Sequence, residues 1–127
     1  VTTMMRSKYG CYSEYHTSLD DLTLVTPRGL ADSFLALRRA IECLELDEYC
    51  EATVLGEPQL GRRGLYPNLS TRESGAQVKD MMNLLAYSDG HLSLFEIAEI
   101  IEVPFWRVEP LARKLMDAGV LRRRSRL

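Results

Sequence analysis

The stretch Ser93-Leu94-Phe95-Glu96-Ile97-Ala98-Glu99-Ile100-Ile101-Glu102-Val103-Pro104-Phe105-Trp106-Arg107-Val108 decides the fold. Ser93 with Glu96 three residues later is a capping box, in which the hydroxyl and the carboxylate each satisfy a backbone N–H that the first helical turn leaves without a partner. Leu94, Ile97, Ala98 and Ile101 then recur at helical spacing and form one apolar face. After a brief Val103-Pro104 turn the pattern resumes with Val108, Leu111, Ala112 and Leu115 and stops at Ala118-Gly119, which Val120-Leu121-Arg122-Arg123-Arg124 follows as a strand. Upstream, Val78, Met81, Met82, Leu85 and Ala86 form the face of a further helix, ended by Asp89-Gly90, with His91 in a solvated turn. Three helices, a tight turn between the second and third, and a strand directly after the third predict a winged helix-turn-helix. Pro110 is expected to kink the third helix unless its regular part begins near Glu109.

In such a fold the first turns of the third helix carry the residues that reach DNA. Here those positions hold Phe105, Trp106, Arg107 and Glu109, two aromatic rings and one charge of each sign. Residues 77–127 carry eight basic and seven acidic side chains, a net charge of +1, which is poor for counterion-release binding. Phe105, Trp106 and Arg107 therefore read as a surface for packing against protein, with DNA the less favoured partner. The basic run from Arg122 to Arg126 is local and reads as a solvated last strand.

Before this block, Ser70 to Gly75 is small and polar and reads as a linker, dividing the chain into residues 1–75 and 76–127. Gly56 to Pro67 holds three glycines and two prolines, which indicates turns; Arg62 and Arg63 lie among them, but the spacing matches neither a P-loop nor a dinucleotide fingerprint. Tyr49 to Leu55 reads as a strand. Thr26-Pro27 marks a helix start, and Leu30, Phe34, Leu37, Ile41 and Leu44 then form one stripe, with Arg28, Asp32, Arg39 and Glu42 on the solvated side. Residues 2 to 9 are expected to form a short strand that ends at Gly10.

Length and composition bound these readings. The chain has 127 residues, of which 46% are hydrophobic and 27% charged, with a formal net charge of -2. That is ordinary globular composition, and no apolar run approaches the roughly 18 residues that a spanning helix needs. The N-terminus lacks the basic and then apolar order of a signal peptide. Three cysteines, Cys11, Cys43 and Cys50, with no CxxC pair, fit reduced thiols and a cytoplasmic location rather than a disulfide framework. A chain that starts at Val1 is either processed or part of something longer.

One stretch carries candidate chemistry: Ser13-Glu14-Tyr15-His16-Thr17-Ser18-Leu19-Asp20-Asp21, where one of only two histidines lies among carboxylates, hydroxyls and aromatic rings. A catalytic zinc site takes about three protein ligands and an open position for water, so His16 would be one ligand of several. Taken by itself, His16 also reads as a surface histidine beside a helix start.

Four stretches together make the chain resemble a bacterial family of zinc aminopeptidase-like proteins, linked to polysaccharide biosynthesis, that carry a C-terminal winged helix. They are Met4-Met5-Arg6-Ser7-Lys8-Tyr9-Gly10, Glu14 to Leu22, Gly56 to Pro67, and the helical block from Gln77 to Leu121. The resemblance implies an α+β, mainly helical chain: a remnant of an α/β zinc-peptidase domain followed by the winged helix. It implies that His16 is the last zinc ligand, with Arg6 and Tyr15 near the substrate. The other ligands and the general-base glutamate would lie upstream, so the chain alone is expected to hold no zinc and to be inactive. Its partners would be that upstream catalytic segment or a second copy of itself.

Overall fold

A computed structural model of the chain describes residues 3–66 and 72–125. The chain divides into two compact units, residues 1–44 and 45–127. Among the described residues there are four helices and one three-stranded sheet, an α+β architecture.

In the second unit the strands β1 (Tyr49–Ala52), β2 (Asp89–Ser93) and β3 (Leu121–Arg124) pair antiparallel in the order β2-β1-β3. Tyr49 pairs with Ser93 on one side and with Arg124 on the other. The central strand thus precedes all three helices of the unit, which are α2 (Arg72–Tyr87), α3 (Leu94–Ile100) and α4 (Phe105–Asp117). The expected boundary between residues 75 and 76 falls inside α2, and the unit begins at Glu45 because β1 binds the sheet together.

The expected capping box is present: the Ser93 hydroxyl accepts from the Glu96 N–H, and the Glu96 carboxylate accepts from the Ser93 N–H at 2.8 Å. Residues Asp89 to Ser93, expected as a helix stop and turn, instead form β2, with Gly90 at φ +87° beside the Arg124 side chain. Their partner strand lies about forty positions upstream, so local periodicity does not reveal it. His91 is exposed on β2 rather than in a turn.

Helix α4 runs through Pro110 from Phe105, so its regular part does not wait for Glu109, the expected alternative to a kink at Pro110. Its end is the expected glycine stop. Gly119 at φ +68° donates to the Met116 carbonyl at 2.9 Å, and Val120 donates to the Leu115 carbonyl at 3.0 Å, a Schellman closure.

The core of this unit gathers Met81 and Leu84 from α2, Leu94 and Ile97 from α3, Val108 and Leu115 from α4, and Val120, all fully buried. Each such side chain stabilises by roughly 1.5–3 kcal/mol. On α2 the buried face includes Leu84 and leaves Ala86 exposed, a rotation of the expected face. Leu60 and Leu65 join the core from a tight turn in the Gly56–Tyr66 segment, where the Leu65 N–H donates to the Leu60 carbonyl at 3.0 Å. Arg63 there donates to the Pro58 carbonyl at 3.1 Å and to Ala118 at 3.0 Å, so its cation serves the C-terminus of α4 rather than a phosphate. Of the expected Ser70–Gly75 linker, residues 70–71 lie outside the described residues and the rest belong to α2.

In the first unit α1 (Pro27–Leu46) starts as expected, with the Thr26 hydroxyl accepting from the Gly29 N–H at 3.1 Å. No residue of α1 is buried. The strand expected before Gly10 is absent among the described residues, and turns carry the chain from Arg6 to Val25. Among the described residues no helix is long and apolar enough to cross a membrane.

Candidate functional site

His16 sits in the first unit at φ +58°, exposed, in a backbone conformation uncommon for a residue with a side chain. Its neighbours hold that turn. Thr17 donates through its hydroxyl to the Glu14 carbonyl at 2.9 Å and accepts from the Leu19 N–H at 3.2 Å. The imidazole lies edge-on to Tyr15 with ring centres 4.2 Å apart, and Tyr15 in turn contacts Tyr12 at 5.6 Å and Tyr9 at 6.1 Å. Tyrosines at positions 9, 12 and 15 are spaced by three, a sequence signal for this cluster that the reading of His16 alone passes over.

Two of the nearby carboxylates have local partners. Glu14 accepts from the Ser13 hydroxyl at 2.9 Å. Asp21 accepts from both the N–H and the hydroxyl of Thr23, at 2.8 and 2.6 Å, and these bonds lower its carboxyl below the usual value. Among the described residues no group of three or more His, Cys, Asp or Glu side chains is placed to hold a metal ion. The residues present therefore do not fit a zinc site by themselves: His16 supplies one imidazole, and about two further ligands are needed.

Arg6 and Tyr15, the two expected substrate contacts, are both neighbours of Tyr12, which lines a cavity with Arg6 and has its ring 5.6 Å from that of Tyr15. Arg6 lines a cavity of about 450 Å³ with Ser7, Tyr12, Asp20, Thr26 and Leu30, to which neither Tyr15 nor His16 contributes. Desolvation, followed by the charge of Asp20, raises the Tyr12 hydroxyl above its ordinary pKa. Tyr12 is a cavity residue that sequence reasoning missed, and Asp20, which lies in the stretch singled out around His16, lines this cavity, which the imidazole does not.

The second unit carries Phe105, Trp106 and Arg107, the three residues expected at a partner surface, in differing environments. Phe105 is 5% exposed, with its ring 6.1 Å from that of Phe95, so it is a core residue and not a surface contact. The first turn of α4 points that position inward because Phe105, Val108 and Ala112 follow one helical face. Trp106 is 49% exposed, near the exposure of Ile100 and Phe95 on α3. Arg107 reaches Asp80 of α2 at 3.1 Å.

Pairing continues across the unit. Arg113 bonds to Glu109 along α4, which raises the guanidinium pKa further. On the sheet, Arg122 reaches Glu51 at 2.9 Å, Arg124 reaches the same carboxylate at 3.7 Å, and Arg123 pairs with Glu48. The basic run of β3 is thus matched by carboxylates on the β1 side of the sheet. Counterion release from DNA requires cations that can exchange onto phosphates, and each of these arginines already shares its charge with a carboxylate of its own unit.

Helix, short strand, helix, turn, helix and strand on a three-stranded sheet define a winged helix-turn-helix. The family described as winged helix-turn-helix matches residues 48–123, and the chain belongs to it. Residues 1–47 match a family described as "Domain of unknown function (DUF4910)". Over 96% of its length the chain is 34% identical to a Clostridium acetobutylicum protein named "Putative polysaccharide biosynthesis protein with aminopeptidase-like domain", and it spans 28% of that protein. A crystal structure of a "putative peptidase" from Clostridium acetobutylicum is similar with a TM-score of 0.76 and 32% identity, over 94% of this chain and 26% of that one. The chain is therefore little more than a quarter the length of the relatives it matches.

Proposed function

We propose that this chain is the C-terminal segment of a zinc aminopeptidase-like protein linked to polysaccharide biosynthesis, and that it does not hydrolyse peptides by itself. The observation that supports this reading is the likeness to one aminopeptidase-like relative across both units, over 96% of the chain. In the whole protein His16 is one metal ligand, and the rest come from residues outside this chain. A metal of that kind would polarise an amide carbonyl and activate water, which one imidazole without a metal does not do. Arg6 and Tyr15 contact the substrate. The test compares hydrolysis of aminoacyl p-nitroanilides by the whole protein, by its His16→Ala variant and by the 127-residue chain. Activity is expected only in the first.

The winged helix in this reading is a protein-packing module, through Trp106 and the α4 surface that includes Arg107, and not a DNA reader. The ion pairs of Arg107, Arg113 and Arg122–Arg124 favour it. Fluorescence anisotropy with random duplex DNA at low salt tests it, and binding with a steep salt dependence would count against it.

A further inference from the structure

The stripe predicted on α1 forms, and among the described residues it stays largely exposed: Leu30 only edges the cavity beside Arg6, and Phe34 and Leu37 edge another with Met4 and Met5. Leu30, Phe34, Leu37, Ile41 and Leu44 are 61%, 68%, 51%, 51% and 81% exposed. They follow one another at steps of four and three residues and so lie along one side of a twenty-residue helix. Isolated exposed apolar residues are common, whereas a contiguous stripe of this length marks an interface. The polar side of α1 is arranged for water, with Arg28–Asp32 and Arg38–Glu42 pairs spaced by one turn.

We infer that this stripe is the face by which the segment docks onto the remainder of the longer aminopeptidase-like protein, against an apolar surface formed there. The inference rests on the reading of the chain as such a segment. The named relative and the solved structure match both units while extending to about three and a half times the length, which supplies the covering chain. A second copy of this chain is the competing occupant.

The test places Leu37→Glu, and Arg28→Glu on the polar side as a control, in the full open reading frame that contains this sequence. Leu37→Glu is expected to lower the midpoint of thermal unfolding by several degrees or to abolish soluble expression, while Arg28→Glu leaves both unchanged. In the isolated 127-residue chain the sign reverses: the parent chain binds a dye that reports exposed apolar surface, and Leu37→Glu weakens that binding. An open reading frame no longer than this chain would remove the reading of a segment. A longer frame in which Leu37→Glu is as stable as the parent would overturn the docking face alone. So would a discrete dimer of the isolated chain that Leu37→Glu dissociates, since a second copy would then be the occupant.

Discussion

Arg107, on the first turns of α4, bonds through Nη2 to Oδ2 of Asp80 on α2 at 3.1 Å. The acid is nearly enclosed, with its side chain 12% exposed, while the arginine is 57% exposed. Arg107, near the start of α4, is thereby tied to another helix of its own unit. Because the arginine side faces water, screening reduces the worth of the pair, and Arg107→Ala is expected to cost about 1 kcal/mol, chiefly by leaving Asp80 without its cation. A double-mutant cycle with Asp80→Asn, followed by urea unfolding, checks it. Additive single effects would show that the pair contributes nothing.

The cap of α3 joins sheet to helix, since Ser93 is both the last residue of β2 and the capping residue. Ser93→Ala should destabilise the winged-helix unit by about 1 kcal/mol, and Ser93→Gly by a few tenths. Thermal unfolding followed by far-ultraviolet circular dichroism distinguishes the two variants.

Leu115 is fully buried where α4 meets the rest of the core. Its truncation to Ala is expected to cost about 2–5 kcal/mol, enough to unfold much of the population of so small a unit. Loss of the cooperative unfolding transition at room temperature is the readout.

These elements differ in how far the chain betrays them. The capping box at Ser93, the threonine cap at Thr26 and the glycine stop at Gly119 are local chemistry, in which a few neighbouring residues decide the conformation, and all three are present. Strand β2 was hidden because Asp89-Gly90 has the chemistry of a helix stop while its pairing partner is distant in sequence. Phe105 reads as a surface residue from the sequence because the start of α4, and hence its inward face, depends on where the Glu102 turn at φ +56° releases the chain. At the site, His16 was visible as a residue type. The cavity of Arg6, Tyr12 and Asp20 was not, since non-periodic turns bring those residues together.

Glu51 is held below the ordinary carboxylate range, first by the hydrogen bonds from Arg122 and then by the neighbouring positive charges. A carboxyl whose folded value lies below its unfolded one stabilises the fold at pH above the unfolded value, and that contribution disappears as pH falls through the folded value. Arg122→Ala should therefore unfold at lower denaturant than the parent at neutral pH, and the two midpoints should converge in acid once pH has fallen through the folded value of Glu51. Midpoints that stay equally far apart in acid would contradict the assignment.

The thiols should separate by reactivity. Burial pushes Cys50 up to about 12, whereas Cys11 is exposed. At about pH 8 the thiolate of Cys50 would be roughly one part in ten thousand, so a disulfide reagent should label Cys11 quickly and Cys50 only on unfolding. Mass spectrometry of peptides after timed labelling reads both.

In the proposed reading His16 is one ligand of a metal whose other ligands this chain does not hold. Zinc titration by calorimetry at neutral pH tests it on three proteins: the full-length protein, its His16→Ala variant and the 127-residue chain. The account predicts tight stoichiometric binding in the first, binding weakened at least tenfold in the second, and no specific binding in the third. Tight one-to-one binding by the 127-residue chain, or unchanged affinity in the full-length His16→Ala variant, would contradict it.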